Sequence, residues 1–441
     1  MTVNEKSFKS GRLSRLTTFG KLVAKTGGKL SVDLGLEAIE QFQKKKDEVK
    51  QLQRRIEIAK EVVLGMGEMK GGLMKLGQMI SITEDLVLPP EIAEIFKSLQ
   101  KNAPPMSVAD RESVFLEAFG KPAEEIFAKF DAQPMAQASI GQVHRAVLKT
   151  GENVVVKVQY PQIKKAVATD LKGLDSLDGL LGKLFPAKPN LDSTIAELKE
   201  TLISECDYRL EQKNMEYAKR TLAKEFPQFL IPEVYPEYST ETILTMEEMK
   251  GMSFDETLKA SQSERNEWGQ LLFDANMYGL YENLFLHTDP QNGNYLFNPG
   301  KIILLDFGSC RFFPEEFVRD YTLLLRSLED RSFEDYSAWM KRMGYFTDDD
   351  GDEIIREHYT MIGELYWRHT KPGVFALQSQ NPFEQARSFI KKVSIKGRKA
   401  PRPEFILLDR SNIGLYTKLK AWRSEIDWIS SRDRYRMKRN F

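Results

Sequence analysis

The stretch His287-Thr288-Asp289-Pro290-Gln291-Asn292-Gly293-Asn294 is followed twelve positions on by Asp306-Phe307-Gly308, which closes the apolar run Ile302-Ile303-Leu304-Leu305. Taken singly the pieces are weak. Asp-Pro and Asn-Gly are common turn formers, and a lone Asp-Phe-Gly tripeptide carries little. Their order carries more: His-x-Asp-x-x-x-x-Asn, then an apolar strand, then Asp-Phe-Gly. Phosphoryl transfer needs such a set. One carboxylate orients the attacking hydroxyl or water, while an amide oxygen and a second carboxylate hold the metal that neutralises the phosphates. Asp289 is the candidate base or positioning group. Asn294 and Asp306 are the candidate metal ligands, and their oxygen donors suit Mg²⁺.

Upstream, Val154-Val155-Val156-Lys157-Val158 matches the kinase strand whose lysine meets the α- and β-phosphates of ATP or ADP and pairs with a helix glutamate. Alone, Lys157 could be an edge-strand charge; the motifs downstream favour the functional reading. No Gly-rich phosphate loop precedes this strand. Pro134-Met135-Ala136-Gln137-Ala138-Ser139-Ile140-Gly141 stands there instead. Alanine backbone is stiffer than glycine backbone because Cβ restricts φ. Ala136, Gln137, Ala138 and Ser139 are candidate nucleotide contacts through their N–H groups. Met246, Glu247 and Met249, where the strand Thr240–Met246 ends, are candidate nucleotide contacts too. His144, within a strand, reads as structural.

The chain of 441 residues is 41% apolar, enough to bury a sizeable core, and its length suggests about three units. Lysine and arginine (64) balance aspartate and glutamate (64), which speaks against a dedicated nucleic-acid binder. Two cysteines without a Cys/His cluster indicate a reducing compartment and no structural zinc. There is no apolar run long enough to span a membrane and no secretory signal. The sequence therefore reads as cytoplasmic. Residues 1–33 form a basic leader, in which Leu13, Leu16, Phe19 and Leu22 recur at helical spacing. It is either an interfacial helix in peripheral contact with anionic lipid or a solvated leader, and the thin stripe favours the second. Residues 34–130 read as mainly helical, 131–250 as strand-rich with a helical insert, and 251–441 as helical with a basic tail. The insert includes a helix over about 193–222, and Phe229–Tyr235 reads as a strand. The basic stretches 391–402 and 432–441 read as solvated surface.

Taken as a set, these residues resemble the ABC1/AarF/UbiB/COQ8 (ADCK) group of atypical kinases. The marks are Lys75-Leu76-Gly77-Gln78 (KxGQ), the Ala-rich loop ending Ser-Ile-Gly-Gln-Val-His144, and Lys157-Val158-Gln159-Tyr160-Pro161. Glu205-Cys206-Asp207 (ExD), His287-Thr288-Asp289-Pro290 and Asp306-Phe307-Gly308 complete it, in family order over residues 75–308. The resemblance spans about residues 35–330. It implies an α+β, bilobal protein-kinase-like fold: a strand-rich N-lobe, a helical C-lobe and an N-terminal helical extension covering the active site. It also implies that Lys75 and Gln78 fold over the cleft, that Lys75 meets Glu205 and Asp207, and that Glu211 partners Lys157. Glu205 and Asp207 would stand about 200° apart on one helix. The sequence departs from the family where Asp-Pro-His-Pro-Gly-Asn becomes Asp289-Pro-Gln291-Asn292-Gly-Asn294, and where Gln137 replaces a small residue. The metal ligands remain, while the departure puts a proton role for the histidine in doubt.

Phe312-Phe313-Pro314-Glu315-Glu316 reads as a helix start soon after Asp306-Phe307-Gly308, leaving almost no activation segment, and no Ala-Pro-Glu follows. Protein kinases dock peptide substrates there. The expected function is therefore an ATPase or small-molecule or lipid kinase in lipid or quinone (ubiquinone-type) metabolism, as the resemblance implies. The alternatives are a nucleotide-controlled pseudokinase acting as a chaperone-like binding module and, last, a protein kinase. The expected partners are a nucleotide and a lipid or quinone-related small molecule; oligomeric state is left open.

Overall fold

The structure is a computed structural model that describes residues 106–138, 140–161, 163–164, 203–368, 373–376 and 402–436. Lys75, Gln78, Ser139, the leader, the segment 34–105 and most of the helical insert lie outside the described residues.

Helix α1 (Val108–Phe119) starts at Ser107, whose hydroxyl accepts the Asp110 N–H at 3.0 Å, and stops at Gly120, left-handed at φ 70°. After the short α2 (Ala123–Ile126), strands β1 (Lys129–Phe130), β2 (Ala136–Ala138), β3 (Gly141–Val147) and β4 (Asn153–Gln159) follow. Helices α3 (Tyr208–Arg220) and α4 (Leu222–Glu225) and strand β6 (Ile243–Glu247) complete the N-lobe, while β5 (Phe229–Leu230) pairs in parallel with residues 302–303 of the C-lobe. The antiparallel sheet runs β1-β3-β4-β6, with β2 hairpinned onto β3. The four β-branched valines of β4 suit its central place, where both faces are covered.

Residues 108–130 belong to this lobe rather than to a separate extension. Val114 and Phe115 of α1, with Ala123 and Phe127, close one core with Ala146, Val154, Val156, Val158 and Ile243. The expected long helix over 193–222 is interrupted. Residues 203–205 are helical, Cys206 turns, and α3 begins afresh at Asp207, whose carboxylate caps it by accepting the Arg209 N–H at 3.0 Å. Asp207 is thus committed to backbone, and the 200° relation to Glu205 does not apply. The expected strand Phe229–Tyr235 shrinks to β5, and Val234 adds only an isolated bridge to Met246.

The C-lobe opens with α5 (Phe254–Thr257) and α6 (Gln262–Tyr278), each begun by a Ser/Glu capping box. A π-helical turn, Gly279–Asn283, ends at Leu284, a left-handed non-glycine at φ 54°, and delivers the chain into β7 (Phe285–His287). Strands β8 (Tyr295–Asn298), β9 (Lys301–Leu304) and β10 (Cys310–Phe312) lead to α7 (Glu315–Glu329), α8 (Phe333–Arg342) and α9 (Asp352–Arg368). Last come β11 (Val374–Ala376), α10 (Pro403–Trp422), β12 (Glu425–Asp427) and α11 (Trp428–Arg436). Trp422 of α10 packs at 5.1 Å from Phe254, 5.2 Å from Phe297 and 6.0 Å from Trp268, so an aromatic knot ties α10 to α5, α6 and β8.

Residues 432–436 of the basic tail are less solvated than their composition implies, while 437–441 and the basic residues 391–401 lie outside the described residues. Arg436 is 5% exposed and donates from both terminal nitrogens to Glu329 at 2.8 and 3.1 Å, and Arg432 joins the same carboxylate at 3.0 Å. Those two arginines are internal ties between α11 and α7. Among the described residues no helix is long and apolar enough to cross a membrane.

Candidate active site

Lys157 projects from β4 into the space between the lobes and is 5% exposed. Its ammonium lies 2.5 Å from Glu211 Oε1 and 2.9 Å from Asp306 Oδ2. Burial by itself would lower the Lys157 pKa, but the carboxylates of Asp306 and Glu211 outweigh it and hold the group protonated, well above its ordinary value. Burial and the Asp306 charge push the Glu211 carboxyl up, against the pull of the lysine. Glu211 sits one turn into α3 because Asp207 caps that helix, and its Oε1 also accepts the Phe307 N–H at 3.2 Å. Glu205 approaches the same place from the preceding turn. A Cβ on Gly308 would lie 3.6 Å from Glu205 Cγ, 3.5 Å from Asp306 Oδ1 and 3.9 Å from Glu211 Oε2.

The Asp306-Phe307-Gly308 turn is held from several sides. Gly308 N–H donates to Asp306 Oδ1 at 3.1 Å, and Asn214 Nδ2 donates to the Phe307 carbonyl at 2.9 Å. His287 Nε2 lies 2.6 Å from the Asp306 carbonyl oxygen. That oxygen can only accept, so the proton sits on Nε2. Burial lowers the imidazole pKa, which favours this neutral form. Asp306 keeps about a third of its side chain exposed (35%), so a ligand can reach it.

The loop from His287 to Asn294 runs beside this turn. Thr288 N–H donates to the Ser309 carbonyl at 2.8 Å, and Asn294 Nδ2 donates to the Asp289 carbonyl at 3.1 Å. Leu305 N–H donates to the Asn294 carbonyl at 3.0 Å, which draws Asn294 towards the residue before Asp306. Asp289 is 4% exposed, and its Oδ1 accepts from Arg410 Nη2 at 3.0 Å. Lys418 donates to the Pro290 carbonyl, and its ammonium stands 4.6 Å over the Tyr295 ring.

The remaining sequence candidates fall in several places. Ala136, Gln137 and Ala138 form β2, paired with Val143, Gln142 and Gly141, so the Ala-rich segment is one arm of a hairpin rather than an open loop. Gly141 is required by close approach: a Cβ there would lie 2.2 Å from the Val158 carbonyl oxygen. Met246 is buried in the sheet opposite Val155, and the Glu247 N–H is taken by the Glu233 carbonyl at 2.8 Å. Met249 follows without a backbone partner among the described residues. His144 is structural, 1% exposed, bound to the Asp131 carbonyl at 2.9 Å and stacked on Phe130.

Sequence reasoning missed Arg410, Ser411 and Lys418. The signal available was faint: Arg410, Gly414 and Lys418 recur every four residues, with a glycine inside an otherwise helical pattern.

A strand-rich lobe carrying a buried lysine–glutamate pair, facing a helical lobe that carries an Asp-x-x-x-x-Asn loop and an Asp-Phe-Gly turn, defines a bilobal protein-kinase-like fold. Comparison with known proteins narrows this. The ABC1 atypical kinase-like domain matches residues 98–338. The atypical kinase COQ8, mitochondrial, of Saccharomyces cerevisiae is 34% identical over 409 residues, covering 91% of this chain and 80% of its own length. COQ8B, mitochondrial, of Danio rerio is 30% identical over 434 residues, covering 95% of this chain and 68% of its own. A Mycobacterium tuberculosis protein, Rv3197, solved with erythromycin, superposes with a TM-score of 0.57 at 25% identity, covering 88% of this chain and 98% of its own. The chain belongs to the ABC1 atypical kinase-like family.

Proposed function

We propose that the chain binds Mg-ATP between its lobes and cleaves it, as an ATPase or as a small-molecule or lipid kinase serving lipid or quinone (ubiquinone-type) metabolism. The observation that carries the reading is the Lys157 ammonium set between Glu211 and Asp306. An ion triad this buried is a poor stabiliser by itself, but it presents a fixed cation where phosphate oxygens would lie. Lys157 orients the α- and β-phosphates, Glu211 holds Lys157, and Asp289 orients the nucleophile.

The donor set fits Mg²⁺. Asp306 offers a partly exposed carboxylate, and Asn294 uses its amide nitrogen on the Asp289 carbonyl, so its amide oxygen is not spent on that bond. When bound there, the metal would neutralise the charge that builds on the phosphates. The short path out of the Asp-Phe-Gly turn favours a small acceptor over a protein one. Gly308 leads through β10, which pairs with β7, directly into α7 at Glu315, with no extended platform for a peptide. The family resemblance supports the quinone or lipid context, and Lys75 and Gln78 are proposed to close the cleft from the extension.

The test is Mg-ATP-dependent phosphate release by the full chain, with and without anionic vesicles. Release that falls on the order of 10²–10³-fold in Asp306→Asn supports the reading. Unchanged release in that variant removes this site from the chemistry. Nucleotide binding without turnover would favour the nucleotide-controlled binding module.

A further inference from the structure

Helix α10 lies outside residues 98–338, yet it grips the loop that carries Asp289. Arg410, Gly414 and Lys418 share one helical face. Arg410, 7% exposed, donates to Asp289 Oδ1 at 3.0 Å. A Cβ at Gly414 would lie 1.8 Å from Pro290 Cβ, so only glycine lets the helix come this close. Ser411 Oγ donates to the His287 carbonyl at 3.3 Å, and Lys418 donates to the Pro290 carbonyl. The loop is therefore held at 287, 289 and 290 by one element.

Stability does not explain the arginine. Among the described residues, Nε and Nη1 of Arg410 are buried without hydrogen-bond partners. Unpaired buried donors are costly, and a buried ion pair is often no better than apolar packing of the same volume. What the arginine does supply is a directed bond to one oxygen of the Asp289 carboxylate.

We propose that Arg410 is a positioning residue for phosphoryl transfer: by holding Oδ1 of Asp289 it sets the rotation of that carboxylate and so aims its second oxygen at the nucleophile. This rests on the ATP-cleaving reading above. In that step the nucleophile's oxygen bonds to the γ-phosphorus as the bond to the β–γ bridging oxygen breaks. The electron pair leaves with ADP, and the nucleophile's proton passes to Asp289 and then to solvent.

The test compares full-length wild type, Arg410→Gln, Arg410→Lys, Asp289→Asn and the Asp289→Asn/Arg410→Gln double variant. Phosphate release, ATP affinity and thermal midpoint are measured for each. Arg410→Gln should lose about a hundredfold in kcat with KM for ATP little changed. Arg410→Lys should recover most of that loss. In the Asp289→Asn background the Gln substitution should change kcat less than about twofold, because Arg410 acts through Asp289. Wild-type turnover in Arg410→Gln, a fully additive loss in the double variant, or a loss that follows unfolding without rescue by Lys overturns the proposal. A wild type that never turns over ATP removes the proposed function and this inference together. An active wild type with an equally active Arg410→Gln removes this inference alone.

Discussion

Asp306 and Asp289 flank one cleft and are held in opposite ways. Asp306 is a third exposed, and its cation, Lys157, comes from the N-lobe sheet and is shared with Glu211. Asp289 is nearly sealed, and its cation, Arg410, comes from a helix 121 positions further on within the C-lobe. The first arrangement joins the lobes through a group that a ligand can reach. The second braces a loop from behind. The two carboxylates thus differ in setting: one is open to solvent, the other is buried and fixed.

Removing the cation on the first side should have the largest effect on folding. Lys157→Ala leaves the Glu211 and Asp306 carboxylates together without their counter-charge, which should cost about 3–5 kcal/mol in denaturant unfolding and weaken ATP binding. In a double-mutant cycle with Glu211→Gln the two losses should couple. Simple additivity would mean that the pair seen at 2.5 Å contributes nothing as a pair.

On the second side, Gly414→Ala drives a methyl into Pro290. It should destabilise by about 1–3 kcal/mol and reduce turnover, because helix and loop must part. Normal stability with normal turnover would show that close contact between α10 and the loop is dispensable.

The effect with least bearing on turnover sharpens the contrast through pH. Burial brings the Lys418 ammonium down to about 7 from its ordinary 10.5, against the pull of Asp289. Its folded-state pKa lies below its unfolded one, so the unfolded chain binds more protons between those two values. Stability from this residue should therefore rise with pH across that window, by at most about 1.4 kcal/mol per pH unit. Lys418→Met should flatten the rise in thermal midpoint between pH 7 and 9. An unaltered slope would place the charge elsewhere. Lys157 adds no slope in this range, since it is charged in both states; its stabilisation is lost only as pH rises beyond the ordinary lysine value.

The same contrast explains what the sequence made legible. Lys157, Asp289, Asn294 and Asp306 sit in short motifs whose strand or turn context is set by immediate neighbours, such as the valines of β4 and the apolar run before Asp306. Glu211 was reachable only by resemblance, because its link to Lys157 spans 54 positions. Arg410 and Lys418 gave only the faint sign of their spacing around Gly414, as their partners lie in another element and a charged residue on a helix usually faces water. Asp207 was misplaced for a related reason. Helical periodicity runs through Cys206, but an aspartate also makes a good N-cap, and here it ends one helix and begins the next. The basic tail misled by composition, since Glu329 draws Arg432 and Arg436 inward.

The central claim is that Asp306 and Asn294 form the metal-dependent end of a nucleotide site. Titration of ATP with and without Mg²⁺, for wild type and Asp306→Asn, tests it most directly. Binding that Mg²⁺ strengthens in the wild type and no longer strengthens in Asp306→Asn is the predicted result. Equal Mg²⁺ dependence in both proteins would contradict it.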